Sequence, residues 1–165
     1  MGRTVNKAQL ESRGELLLGP LVPQWFVDQS DGASVPPGFR RVMRKDKADP
    51  PGYVHDFEYF GCAALFEEGE RAWDRARMEA DQNFKYNIKL IARNRLCGFV
   101  FARLYLRAVR IGGGMVMKKH FYELAVPPDL DALEDTRQTL AGMNWGQLTV
   151  RADTFLDKWR DIINN

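Results

Sequence analysis

The sequence predicts a mainly α-helical chain in which an antiparallel helix pair is followed by a third helix. Small β elements are expected at the N-terminus and after residue 114. Between residues 53 and 111, apolar side chains recur every three or four positions, which is typical of helices with one buried face. Glycine-containing breaks divide this region, and short apolar runs bounded by Gly and Pro flank it.

The first two predicted helices span about residues 53–66 and 71–94, with a break at Glu67–Glu70 between them. The second helix carries an apolar stripe of Trp73, Ala76, Ala80, Phe84, Ile88 and Ile91. A connection this short predicts that the two helices pack against each other in antiparallel directions.

The third predicted helix spans about residues 99–111, and the triple glycine Gly112–Gly114 is expected to end it. Met115–Met117 and Phe121–Val126 then predict a hairpin of two short strands.

The C-terminal region predicts two further helices. Pro127-Pro128-Asp129 indicates the start of a short acidic helix that reaches about Leu140. The last segment has apolar residues at the spacing of a terminal amphipathic helix, namely Phe155, Leu156, Trp159, Ile162 and Ile163. We therefore expect one domain over residues 1–126 and a helical extension over residues 127–165.

The N-terminal region predicts strand and loop. Short strands are expected at Leu16–Leu18, Leu21–Val22 and Trp25–Val27. Residues 31–53 are rich in Gly, Pro, Asp and Lys and predict a long ordered loop, of a length that is usually functional or disordered.

Length and composition limit the class of protein. A chain of 165 residues with 45% apolar content suits one globular domain, and its formal net charge of +2 decides nothing alone. The two cysteines, Cys62 and Cys97, are too few for a disulfide scaffold and are expected to be buried free thiols. The N-terminus lacks the apolar segment of a signal peptide, and no apolar stretch reaches the length of a membrane span. We expect a protein that is made in the cytoplasm and is not exported by the general route.

A histidine on the first predicted helix is the strongest candidate for chemistry. His55 and Tyr59 are four positions apart and therefore share one helix face. Asp56 lies about a hundred degrees further round the helix. One helix can thus direct a proton-accepting imidazole one way and a metal-binding carboxylate another.

The segment Asp31–Pro36 is a candidate calcium loop. Calcium takes carboxylate and backbone carbonyl oxygens as ligands, and Asp31 with nearby backbone carbonyls supplies both. Asp56 would complete the set. Asp-Gly is equally a strong turn signal, so turn and metal ligand stand as alternatives for Asp31.

Asp81 is the predicted partner of the histidine. If the two helices fold back at Gly69, positions 55 and 81 lie at the same level, each about a dozen residues from the turn. A carboxylate there can accept a hydrogen bond from the imidazole, fix its tautomer and stabilise the imidazolium during proton transfer.

The order of these motifs resembles two related protein groups. The motifs are Asp-Gly-Ala-Ser-Val-Pro at 31–36, His-Asp-x-x-Tyr at 55–59, Ala-Asp-x-x-Phe at 80–84 and Tyr-x-x-Ala-Val-Arg-x-Gly at 105–112. One group is the small prokaryotic and fungal phospholipase A2 enzymes. The other is a phage- and prophage-encoded family of unknown function, to which the match over about residues 25–114 is closer.

The resemblance implies a phospholipase A2-like site that hydrolyses phospholipid or another ester with calcium as cofactor. His55 would activate a water molecule, and Asp81 would orient the His55 side chain. Asp31, Asp56 and the Gly32 carbonyl would bind calcium, and Tyr59 would donate a supporting hydrogen bond. The chain departs from phospholipase A2 in having no matching disulfide cysteines and an unmatched C-terminal region.

Two other functions remain open from the sequence. The first is a structural protein of a phage virion or tail, with a vestigial site and a C-terminal helix that docks on other virion proteins. The second, weaker one is nucleic-acid binding, because residues 82–122 contain no Asp or Glu. This stretch carries Lys85, Lys89, Arg93, Arg95, Arg103, Arg107, Arg110, Lys118 and Lys119, but these cations can equally be solvated or paired within the protein.

Overall fold

The fold is helical throughout the part of the chain that the structure, a computed structural model, describes. The described residues are 19, 21–30, 45–66, 69–91, 95–124, 126–143, 160, 163 and 164. They form five α-helices and no strand, which confirms the prediction of a mainly α class. The helices are α1 Gln24–Gln29, α2 Lys45–Leu65, α3 Arg71–Ile91, α4 Arg95–Leu124 and α5 Leu130–Ala141.

Helix α2 is central and is buried on more than one side. Phe57 and Phe60 pack into a cluster with residues of α1 and α5. Tyr59 and Cys62 pack on α3 instead. A helix that is apolar on several faces is typical of an element that its neighbours enclose. Two polar side chains of α2, His55 and Glu58, are therefore buried among packed helices.

The first core cluster joins α1, α2 and α5. Its buried members are Trp25, Phe26, Phe57, Phe60, Leu65, Leu133, Leu140 and Met143, and Ile163 from the C-terminal region packs against it. The indole Nε1 of Trp25 donates to Thr136 Oγ1 at 2.9 Å, and that hydroxyl donates to the Ala132 carbonyl at 2.7 Å. These bonds satisfy buried polar groups inside an apolar cluster.

Helices α2 and α3 form the predicted antiparallel pair. Gly69 in the connection adopts a φ of 91°, a left-handed conformation that glycine adopts readily. Cys62 Sγ contacts the Trp73 carbonyl at 3.4 Å, whereas the rings of His55 and Phe84 lie with centroids 4.7 Å apart. Later residues of α3 therefore contact earlier residues of α2, as antiparallel packing requires.

Helices α3 and α4 share a second contact surface. Phe84 and Ile88 of α3 are buried against Ala102 and Tyr105 of α4. The Phe84 and Tyr105 rings meet edge to face, with centroids 5.4 Å apart. This contact confirms the predicted core face of the second helix and fixes α4 beside the histidine-bearing pair.

The predicted acidic helix is present as α5. Asp129 is its N-cap, and the side chain accepts a hydrogen bond from the Ala132 backbone N–H at 2.8 Å. Because Leu133 and Leu140 pack into the same cluster as α1 and α2, this helix lies on the main core. The boundary at residue 127 stays a prediction.

The predicted strands are wrong wherever the chain is described. Trp25–Val27 lie in α1, since a short apolar run does not distinguish a strand from a buried helix. Met115–Met117 and residues 121–124 continue α4. Glycine weakens a helix by about 1 kcal/mol without forbidding it, and no proline interrupts the chain between Pro51 and Pro127. Leu16–Leu18 lie outside the described residues.

The predicted loop over residues 31–53 is partly wrong as well. Helix α2 begins at Lys45 and contains Pro50 and Pro51. Each proline lacks the N–H group for one helical hydrogen bond and disfavours the helical conformation at the residue before it. These effects weaken the helix without ending it, so the interpretation of Pro50 and Pro51 as a sign that the helix begins later is wrong. Most of the predicted terminal helix around Phe155–Ile163 lies outside the described part of the chain. Of the helices that are described, none combines the length and apolar character that crossing a membrane requires.

Two glycines offer a matched test of the packing on α2. Gly19 has a φ of 131°, and an added Cβ would overlap Val54 Cγ1, whereas Gly69 has a φ of 91° with open space around it. We expect Gly19→Ala to lower the free energy of unfolding by about 2 kcal/mol or more. Gly69→Ala should cost only about 1 kcal/mol, the backbone component.

Chemical denaturation of both variants measures this difference. Equal losses at the two positions would contradict the close approach of Gly19 to helix α2.

Candidate active site

The predicted contact between the histidine and the distant aspartate is present. His55 Nε2 of α2 lies 3.2 Å from Asp81 Oδ1 of α3. The Tyr59 hydroxyl donates to the same oxygen at 2.5 Å. The fold therefore brings all three proposed catalytic residues together across the helix pair, while their catalytic roles stay predictions.

The imidazole lies between two aromatic rings. Ring centroids of Tyr59 and Phe84 lie 4.1 and 4.7 Å from that of His55. His55 is buried, with 5% of its surface exposed. Flanking rings and the contact with Asp81 together hold the imidazole in one orientation, as a proton-transfer group requires.

Asp81 is a fully buried carboxylate with partners from two helices. Besides His55 and Tyr59 of α2, the guanidinium of Arg110 in α4 approaches, with Nε 3.8 Å from Asp81 Oδ2. An uncompensated charge at such a depth would be strongly destabilising. Arg110 was not assigned a role from the sequence, although it belongs to the motif at 105–112 that carried the resemblance.

The protonation of His55 is determined by opposing effects. Burial by itself lowers the pKa of His55, but hydrogen bonds and charges from Asp56 and Asp81 outweigh it and raise that pKa from 6.5 to about 9. Burial and the Asp81 charge both raise the pKa of Tyr59, so the phenol remains protonated and acts as a donor. The arrangement favours the imidazolium when Asp56 carries its charge.

The predicted metal ligands are described only in part. Asp56 Oδ1 lies 3.6 Å from His55 Nδ1, and Asp56 Oδ2 accepts a hydrogen bond from Ser30 Oγ at 3.2 Å. The Asp56 side chain is 22% exposed, so it has access to ions in solution. Asp31 and Gly32 lie outside the described residues.

The described donors suit a hard cation but do not form a complete site. Among the residues that the structure describes, no group of three or more His, Cys, Asp or Glu side chains could hold a metal ion. Asp56 and the Ser30 hydroxyl supply oxygen donors of the kind that calcium prefers. The other ligands of the predicted calcium site, Asp31 and the Gly32 carbonyl, would have to complete it.

The sequence reasoning missed a second buried polar contact beside the first. Asn83 Nδ2 of α3 donates to Glu58 Oε1 of α2 at 2.6 Å, and Glu58 is buried. Burial raises the pKa of Glu58 to about 8, although the bond from Asn83 opposes this. The other oxygen, Oε2, has no hydrogen-bond partner within the described part of the chain. Nothing in the spacing of Glu58 distinguishes it from an ordinary exposed helix glutamate.

Comparisons with protein-family models, curated proteins and solved structures found no match to this chain. Membership of the phospholipase A2 or phage family therefore remains an expectation from the sequence motifs.

Glu58 predicts a pH-dependent contribution to stability. The folded protein holds this proton up to about pH 8, whereas an unfolded glutamate releases it near 4.5. The free energy of unfolding therefore falls as the pH rises between these values. We expect Glu58→Gln to be neutral near pH 4 and to stabilise the protein by roughly 2 kcal/mol or more near pH 8, because a tenfold change in acidity corresponds to about 1.4 kcal/mol.

Denaturant titrations across this pH range measure the gain. Asp135→Asn, on an exposed part of α5, is the control and should give no such trend. A constant effect of Glu58→Gln at all pH values would show that the buried carboxyl is not held in its neutral form.

Tyr59 predicts a stability loss that comes from one hydrogen bond. Tyr59→Phe removes the donor to the buried Asp81 carboxylate and should cost about 2 kcal/mol, the usual range for a bond to a charged group. Tyr86→Phe removes the hydroxyl of a partly exposed tyrosine on α3 and should change stability by less than about 0.5 kcal/mol. Thermal unfolding of the two variants compares them, and equal effects would count against the bond.

Proposed function

We propose that this protein hydrolyses carboxylic esters, with phospholipids as the substrate class, and that His55 is its general base. The observation that carries the proposal is the contact of 3.2 Å between His55 Nε2 and the buried Asp81 carboxylate. Such a pair is the orienting half of a hydrolytic site, in which one imidazole nitrogen is anchored and the other is left for chemistry.

The anchored nitrogen determines which atom can act as the base. An ionised Asp81 can only accept hydrogen bonds, so Nε2 must donate, and the neutral ring then carries its lone pair on Nδ1. Nδ1 points toward Asp56, whose side chain is the more exposed of the two. A water molecule that approaches from this side can pass a proton to Nδ1.

Hydrolysis then follows from the chemistry of these groups. Nδ1 of His55 takes a proton from water as the water oxygen bonds to the ester carbonyl carbon. Asp81 stabilises the imidazolium that forms. The tetrahedral intermediate collapses with cleavage of its carbon–oxygen bond, and the imidazolium returns the proton to the departing alcohol.

Calcium is the proposed cofactor, with Asp56, Asp31 and the Gly32 carbonyl as ligands. Support comes from Ser30, which precedes Asp31 in the sequence and donates to Asp56. When bound, calcium supplies positive charge that stabilises the oxyanion. Compensation of the Asp56 charge would also weaken the effect that raises the pKa of His55, which favours the neutral ring that a base needs.

Release of fatty acid from a dispersed phospholipid tests the assignment of the base. The wild type should be active, and His55→Ala should lose about a hundredfold or more, since general-base catalysis typically contributes this factor. His120→Ala replaces the other histidine in the chain and is the control. Equal rates in His55→Ala and the wild type would refute the assignment.

Removal of calcium tests the cofactor separately. A chelator should abolish hydrolysis by the wild type, and added calcium should restore it. Asp56→Asn should require far more calcium for the same rate, because it removes one ligand charge. If neither chelator nor added calcium changes the rate of hydrolysis, calcium is not the cofactor. The assignment of His55 as the general base would then still stand.

The burial of the same cluster supports a second candidate function. Tyr59 and Asp81 have 2% and 0% of their surface exposed. Their hydrogen bond is therefore also compatible with a purely structural role, in which it stabilises the packing of α2 on α3. On the resemblance of the motifs to the phage family, the protein would then be a structural component of a phage particle. Under this alternative the wild type releases no fatty acid, and the chain is present in purified particles.

A further inference from the structure

Helix α4 presents an apolar surface to solvent on the side opposite its core contact. Ala102 and Tyr105 are buried against α3, whereas Leu96, Val100, Leu104 and Ile111 are exposed. The exposure of Leu96 and Ile111 reaches 73% and 80%. Their spacing of four, four and seven residues places the exposed residues along one stripe of the helix.

Cations lie along the same surface and bridge it to α3. Arg103 and Arg107 are exposed between the apolar residues of α4. Arg103 lies over the ring of Phe99, with Cζ 4.4 Å from its centroid, and Lys89 of α3 lies over the same ring at 5.6 Å. Lys89 also lies 5.3 Å from the ring centroid of Tyr86.

The stretch of sequence that forms this surface carries charge of one sign. The sequence contains no Asp or Glu from Gln82 to Tyr122, a stretch that includes every residue named above. We call this surface the basic–apolar face, defined by Lys89, Phe99, Val100, Arg103, Leu104, Arg107 and Ile111. Exposed apolar side chains, together with a surrounding sequence that contains cations and no acids, suit a partner that combines negative charge with an apolar interior.

We propose that the basic–apolar face binds the surface of an anionic phospholipid membrane. Lipid headgroups supply phosphate for Arg103 and Arg107, and the acyl boundary beneath them accepts apolar side chains such as Leu104 and Ile111. The link between this binding and hydrolysis rests on the proposed function, while the binding itself rests on the face alone. The helix lies on the membrane and does not cross it.

Nucleic acid fits the face less well. Phosphate contacts would use the arginines, but the exposed aliphatic side chains have no matching groups on a duplex backbone. Base stacking needs an open aromatic face, and Arg103 and Lys89 already lie over the Phe99 ring, at 4.4 and 5.6 Å from its centroid. A lipid surface uses the aliphatic and the charged residues together.

A second copy of the chain also fits poorly. A symmetric contact through this face would bring Lys89, Arg103 and Arg107 of both copies into one interface. With no acid in the surrounding sequence, these charges would repel one another. The face is complementary to negative charge and not to itself.

Sedimentation with vesicles tests the proposal, with chelator present so that calcium does not contribute. The probes are vesicles of phosphatidylcholine alone and of phosphatidylcholine mixed with phosphatidylglycerol. We expect binding only to the anionic vesicles, and weaker binding as salt rises. Arg103→Gln with Arg107→Gln should weaken binding about fivefold for each cation removed.

A second pair of substitutions tests the contribution of the apolar side chains to vesicle binding. Leu104→Gln with Ile111→Gln should weaken binding to anionic vesicles by about tenfold or more, because the side chains no longer leave water on binding. The matched controls are Arg71→Gln with Arg75→Gln, and Met78→Gln with Leu130→Gln, which alter exposed residues elsewhere on the described surface. Controls should bind as the wild type does.

Several outcomes would overturn the proposal. These are equal binding to neutral and anionic vesicles, or variants of the face that bind as tightly as the controls. Binding to duplex DNA without binding to vesicles would assign the face to nucleic acid. A dimer that Leu104→Gln with Ile111→Gln dissociates, again without vesicle binding, would assign it to self-association.

A soluble short-chain ester separates this proposal from the proposed function. If the protein hydrolyses that ester but does not bind vesicles, the membrane surface fails and the hydrolase survives. If it binds anionic vesicles but hydrolyses neither substrate in the presence of calcium, the hydrolase fails and the membrane surface survives.

Discussion

The structure depends on the compensation of one buried charge, the carboxylate of Asp81. Removal of a carboxylate from water is costly unless hydrogen bonds and opposite charges replace the lost solvation. His55 and Tyr59 approach from α2 and Arg110 from α4, so the groups that offset the cost come from both neighbouring helices. The relative positions of three helices are thereby tied to one side chain.

This constraint is also compatible with the proposed chemical role of the buried His55–Asp81 pair. Residues that must meet in order to neutralise Asp81 are held at fixed distances before any substrate binds, and such preorganisation is what enzymatic sites need. The ring contacts of Phe84 and Tyr59 with His55 add a steric restraint. The structural role and the proposed catalytic role therefore favour the same geometry.

The sequence predicts the helix pair well because its signals are local and periodic. The Ala76–Ala80–Phe84–Ile88 stripe and the Gly69 turn together determine the antiparallel register, and the contact between His55 and Asp81 follows from that register. Errors arise where signals are ambiguous, as at Trp25–Val27, Pro50-Pro51 and Gly112–Gly114. Glu58 could not have been identified, because its burial depends on packing from segments far away in sequence. A role for Arg110 could have been predicted, because this residue belongs to the motif at 105–112.

The thiol of Cys62 has a consequence for the environments in which the fold persists. It lies buried in the joint between α2 and α3, with its sulfur against the Trp73 carbonyl. Burial raises the pKa of Cys62 to about 12, although the charge of Arg77 opposes this. Since the thiolate is the form that oxidises and exchanges, this sulfur is nearly inert at neutral pH. The joint would keep the same covalent structure in reducing and in oxidising surroundings.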